Sequence, residues 1–156
     1  VEFGERELDE DNLTDLEDIV SVCAGLVTID EESDIIRLVH YTTQEFFERT
    51  QQQWFPSAES EISRICATYL SFAAFESGLC HTNDSFQERL QTNLFYDYAG
   101  NNWGHHARKS QTLHRDVIDF LKNHNTSEAS SQVLVHAQQL PKLLKPIAGL
   151  HLAAYF

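Results

Sequence analysis

Leu26-Val27-Thr28-Ile29-Asp30-Glu31-Glu32-Ser33-Asp34-Ile35-Ile36-Arg37-Leu38-Val39-His40 sets two runs rich in β-branched residues on either side of a four-residue acidic connection. Val, Ile and Thr suit a pleated surface, and a short polar link between two such runs predicts a β-hairpin. Upstream, Leu16, Ile19, Val20, Cys23 and Ala24 recur at the spacing of one helix face. Thr14 and Glu17 can close a capping box before that face, and Gly25 offers a left-handed stop after it, so a helix of about a dozen residues is expected. Downstream, Tyr41 leads into Thr42-x-x-Glu45, a second capping box. It predicts a short helix carrying Phe46 and Phe47 that fades into the polar run Thr50 to Gln53. Helix, hairpin, helix at this length is the C-terminal two-thirds of a winged helix, the hairpin being its wing. A complete one needs further helices upstream.

Beyond Pro56 the apolar spacing is helical throughout. Ser57 is placed to cap a helix whose buried stripe is Ile62, Ile65, Cys66, Tyr69, Leu70 and Ala73, with Ser77-Gly78 as its end. Ser85-x-x-Glu88 predicts a short helix with Phe86 and Leu90. Leu94, Phe95, Tyr98, Ala99, Trp103 and His106 then share a face. Gly100 and Gly104 inside that helix each cost about 1 kcal/mol relative to alanine, so packing has to hold it. Leu113, Val117, Phe120, Leu121 and His124 mark a further helix, and Val133, Leu134, Ala137 and Leu140 another beginning near Ser127. Pro141 and Pro146 bracket a linker. The expected fold is mainly α: an acidic leader and truncated winged helix with one β-hairpin over residues 1–55, then a bundle of about five helices over 56–140.

The chain has 156 residues, 42% of them hydrophobic, which suits one domain or little more. Its 24 acids against 11 bases give a net charge of -13. The acidity is local: residues 1–34 hold 13 acids and one base, Arg6, leaving 24 - 13 = 11 acids and 11 - 1 = 10 bases elsewhere. Such a block is either a solvated leader and turn or a strip that docks on a basic surface. It repels phosphate backbones, and the helix ahead of the wing carries Asp15, Glu17 and Asp18 with no Lys or Arg. Nucleic-acid binding through the wing is therefore disfavoured. No apolar run approaches the roughly 18 residues of a membrane span and no export signal is seen, so no membrane partner and a cytoplasmic address are expected. Three widely spaced cysteines, Cys23, Cys66 and Cys80, fit that address and predict no structural disulfide. With no methionine and two abrupt ends, the sequence is expected to be a piece of something longer.

Chemistry is scarce. Cys80-His81 and His105-His106 invite a zinc reading, but adjacent histidines on a helix point about 100° apart and no C-x-x-C or H-x-x-x-H pair exists. The pattern suits one histidine facing the core beside Trp103 and the other at the surface. His40 lacks an evident nucleophile and is expected to cap or brace the hairpin–helix junction while Thr42 caps the helix. Asn101 and Asn102 are poor helix formers, so something specific satisfies them: a neighbouring loop, or an interface that uses Trp103 as anchor. Asn101, Asn102, Trp103, His105 and His106 are the interaction candidates. No catalytic residue, metal or cofactor is expected, since neither G-x-x-x-x-G-K-[ST] nor G-x-S-x-G occurs. A small hydrolase-type enzyme is the alternative.

Three stretches carry a resemblance: Val20-Ser21-Val22-Cys23-Ala24-Gly25-Leu26-Val27-Thr28 with Ile36-Arg37-Leu38-Val39-His40-Tyr41-Thr42-Thr43-Gln44-Glu45-Phe46-Phe47; Tyr96-Asp97-Tyr98-Ala99-Gly100-Asn101-Asn102-Trp103-Gly104-His105-His106-Ala107-Arg108; and Gly149-Leu150-His151-Leu152-Ala153-Ala154. The first two resemble the winged-helix and helical segment that follows the NACHT module in fungal ankyrin-repeat proteins. The third resembles the opening of an ankyrin repeat, with Ala148-Gly149 where the repeat has Thr-Pro. Residues 141–156 would then be a linker and the start of an ankyrin-like repeat. The resemblance implies a connector between a STAND-type nucleotide switch and a repeat array that recognises other proteins. Its partners would be the neighbouring NACHT module and the ankyrin repeats of the parent chain.

Overall fold

The computed structural model describes residues 5–156 other than 10, 12, 34, 111 and 138–148, and the backbone alone at 137, 150, 151 and 155. Among the described residues the fold is mainly helical, with eight α-helices and one antiparallel two-stranded hairpin. In chain order these are α1 (Leu16–Val22), β1 (Val27–Asp30), β2 (Ile35–Leu38), α2 (Tyr41–Trp54), α3 (Ala58–Leu70), α4 (Asn83–Thr92), α5 (Tyr96–Lys109), α6 (Arg115–Lys122), α7 (His124–Ala137) and α8 (Gly149–Tyr155). Contacts divide the chain into a hairpin unit, Asp9–Pro56, and a helical unit, Ser57–Phe156 with the N-terminal residues up to Leu8. No described helix is long and apolar enough to cross a membrane.

In the hairpin unit the two apolar runs pair as read, Val27 with Leu38 through Asp30 with Ile35. The turn into β1 is left-handed at Ala24 (φ 49°) and Gly25 (φ 80°); glycine takes that conformation at no steric cost, alanine does not. The caps fall elsewhere than expected. Asp15, not Thr14, accepts from the Glu17 amide, and α1 spans 7 residues rather than a dozen. His40 itself caps α2: its Nδ1 accepts from the Thr42 amide at 3.2 Å and lies 2.8 Å from the Thr42 hydroxyl. Thr42 thus sits inside the first turn. α2 does not fade at Thr50 but runs on to Trp54. Glutamine is a good helix former, Gln44 bonds Glu48 one turn on, and the Thr50 hydroxyl donates to the Phe46 carbonyl.

The helical unit is built around α3 and α5, with α6 and α7 packed on them. Cys66, Leu70, Phe75, Tyr96, Phe120 and Val133 are at most 1% exposed. α3 ends at Leu70, short of Ser77-Gly78, and a 3₁₀ turn, Ala73–Phe75, then carries Phe75 inward to stack on Tyr96 at 4.8 Å. Ser57 makes no side-chain cap. Thr82, rather than Ser85, caps α4 by accepting from the Ser85 amide. α5 passes unbroken through both glycines. At Gly100 an added Cβ would lie 2.9 Å from Val133 Cβ, so the missing side chain is what lets α5 and α7 approach. α7 starts at His124, a few residues before Ser127. Part of the expected leader belongs to this unit: the Arg6 carbonyl accepts from the Ala73 amide at 2.8 Å and its guanidinium pairs with Glu76 at 2.9 Å. Leu140 and the Pro141–Pro146 linker lie outside the described residues.

Burial pushes the Cys66 thiol from 9.0 up to about 12 and the Tyr96 phenol from 10.0 up to about 12. The folded chain holds both protons more tightly than the unfolded chain. Their stabilising contribution is therefore complete below pH 9 and is lost as pH rises to 12. Far-UV circular dichroism across that interval should show the helical unit unfolding, and Tyr96→Phe should move the midpoint upward. A flat profile to pH 12 would mean these groups are not sealed from water.

Candidate functional site

α5 carries the residues singled out above, and they part company. Asn101 Nδ2 donates to the Asp97 carbonyl at 2.9 Å and to the Asp97 carboxylate at 3.1 Å, and Asn102 Nδ2 donates to the Tyr98 carbonyl at 2.9 Å. Both amides turn back on their own helix, not to a neighbouring loop. Trp103 is 2% exposed. Its Nε1–H donates to the Ser130 hydroxyl on α7 at 3.2 Å, and its ring meets Phe120 and Phe156 edge-on at 5.4 and 5.0 Å. It is a fixed internal wall and not a free anchor.

The two histidines have different jobs. His105 is exposed, its ring edge-on to Phe156 at 5.0 Å. His106 is half-buried, with Nδ1 2.6 Å from Glu59 Oε2 on α3 and Nε2 3.0 Å from the Tyr98 hydroxyl. An imidazole that donates from Nδ1 to the carboxylate has Nε2 left to accept from the phenol. Burial first, and then the neighbouring Glu59 carboxylate, hold the Tyr98 phenol above its ordinary 10.0, so it stays protonated. A carboxylate–imidazole–hydroxyl chain ending in an unactivated phenol is a clip between α3 and α5. The Cys66 thiol is no nucleophile either, being sealed and protonated. Among the described residues no three His, Cys, Asp or Glu side chains come together as a metal site would require.

Two places look outward. The first is the seat of α8 on the helical unit. An added Cβ at Gly104 would collide with the Phe156 ring, and one at Gly149 would collide with the Leu121 carbonyl on α6. Leu152, between them, is 1% exposed. α8 thus lies in a groove cut by two missing side chains, and beside it α5, α6 and α8 leave an apolar cleft of about 260 Å³.

Compared with protein-family models, curated proteins and solved structures, the chain matches none.

The second outward place is the hairpin unit, in which none of the described residues is buried. All four residues of β2 are exposed, Ile35 at 49% and its neighbour Ile36 at 38%, although adjacent strand residues point to opposite faces. Val39, Phe46, Trp54 and Phe55 are also exposed. A two-stranded hairpin is marginal by itself, and this one leaves apolar surface uncovered. The sequence carries the signal for this. Val27, Ile29, Ile36 and Leu38 fall on one face of the hairpin, and Thr28, Asp30 and Arg37 on the other with Ile35 as its one apolar member, so the uncovered apolar face is the one the alternation marks.

Proposed function

We propose that the chain is a non-catalytic connector: a regulatory segment of a STAND NTPase ankyrin protein that couples a nucleotide switch to a protein-recognition repeat array by intramolecular packing. The contrast between the two units carries this reading. The helical unit has a closed aromatic core and holds α8 in a fitted groove, whereas the hairpin unit leaves Ile36, Leu38, Val39, Phe46 and Trp54 exposed and buries no described residue. One end is finished and the other awaits a neighbour, as a coupling piece requires. The neighbour is protein rather than nucleic acid, because the wing's base, Arg37, is already paired with Asp30 at 2.9 Å. Movement of the hairpin unit with a nucleotide module would be rigid-body motion, the common currency of such switches.

The transcript that encodes the chain tests the proposal. A P-loop module upstream and several repeats of about 33 residues downstream are expected. A stop codon directly after Phe156 overturns it. In the longer protein, amides of β1 and β2 should gain protection from hydrogen exchange relative to the chain alone, and that gain should differ between the diphosphate- and triphosphate-bound states.

A further inference from the structure

The cleft beside α8 is built like a small-molecule site. Trp103 forms a wall that cannot swing, since Ser130 holds its indole nitrogen and Phe120 and Phe156 flank its ring. Val117 and Leu121 of α6 face it, and the small residues Gly104, Ala107 and Ala153 keep the space open. Arg108 is the one charged residue in the lining. Its position in the last turn of α5 suits the helix dipole, as does that of Lys109. The dipole does not account for its lack of a partner. Arg6, Arg64, Lys109, Arg115 and Lys122 each meet a carboxylate, and Arg89 donates to the Gly78 carbonyl and the Ser77 hydroxyl. Arg108, alone among the described bases of the helical unit, meets none, in a chain with more than twice as many acids as bases.

We propose that this cleft binds a small aromatic carboxylic acid, its ring against Phe156 and the apolar side chains of Val117 and Leu121 and its carboxylate at Arg108. Trp103, 2% exposed, closes the floor of the cleft, and the half-buried Phe156 offers the aromatic face on which a flat ring stacks. The volume is below that of drug-sized pockets, so the ligand is one or two fused rings. A guanidinium with no internal acid matches a carboxylate with two coplanar bonds. The inference does not depend on the connector role.

The test is a nuclear magnetic resonance titration of the full chain with 2-naphthoate and, separately, with neutral 2-naphthamide at equal ionic strength. The Trp103 indole N–H and the amides of Ala107, Arg108 and Ala153 should shift and saturate with naphthoate, which should bind about fivefold tighter than the amide. Arg108→Gln should bring the two affinities together without changing that of naphthamide. Ala153→Leu, at an exposed position of α8, should fill the cleft and abolish both. The proposal is overturned if naphthoate shifts fail to saturate by about 5 mM, if Arg108→Gln leaves the preference intact, or if the same signals move with protein concentration alone, which would assign the cleft to a second copy of the chain.

Discussion

Tyr96→Ala is expected to destabilise the helical unit by about 4 kcal/mol, whereas Tyr96→Phe should cost about 1 kcal/mol. The ring is fully buried, stacks on Phe75 at 4.8 Å and meets Phe86 edge-on at 6.3 Å. Its hydroxyl donates to the Ala129 carbonyl on α7 at 2.7 Å. Truncation removes the body that α4, α5, α7 and the 3₁₀ turn share, and the cavity cannot close by local relaxation because its walls are helices pinned elsewhere. Phenylalanine keeps every ring contact and gives up one hydrogen bond to a carbonyl. Against a total stability of about 5–15 kcal/mol the first change is severe and the second mild. Urea unfolding followed by Trp103 emission, in a Trp54→Phe background, reads the helical unit alone. A loss under about 1 kcal/mol for Tyr96→Ala would show that the aromatic cluster is not the centre of this core.

What could be read in advance divides along the range of the forces involved. The hairpin and the stripes of α3 and α5 were legible because each is a local pattern of apolar spacing. The caps were not, although cap chemistry is local too: Thr14 stands beside Asp15, His40 near Thr42, and Thr82 near Ser85. Each member can accept from a first-turn amide, and the angle at which the chain enters the helix chooses between them. α3 stops at Leu70, where the Ser71 and Phe72 amides bond three residues back, to Thr68 and Tyr69, and extended backbone at Phe72 leads into the 3₁₀ turn that buries Phe75. Asn101 and Asn102 were read as needing an outside partner because asparagine disfavours helices; instead each bonds the carbonyl one turn back, an option no spacing reveals. The docking of Phe156 into the notch at Gly104 joins residues 52 positions apart, and the only trace of it in the sequence is a glycine in a helix where alanine would be better. The cleft and its unpartnered arginine follow from that docking and so were equally hidden.

Gly149→Ala should lift α8 from the helical unit while leaving the rest folded. The added methyl would run into the Leu121 carbonyl, which is backbone in the last turn of α6 and cannot rotate aside. α8 has to move, and with it Leu152, whose burial is worth about 1.5–3 kcal/mol. A helix of 7 residues is well below the length that stands alone in water, so α8 once lifted should also lose its helicity. Hydrogen exchange resolved by mass spectrometry should show protection across residues 149–156 falling by at least about tenfold while α3 and α5 keep theirs. Gly104→Ala gives the internal comparison. There the methyl would meet the Phe156 ring, a side chain that can swing away, so protection should drop near Phe156 and survive at Leu152. If Gly104→Ala proves the more disruptive, the aromatic plug and not the backbone contact holds α8. If neither substitution changes exchange, α8 is not seated on α6, and the connector proposed above loses the fixed element through which it would act.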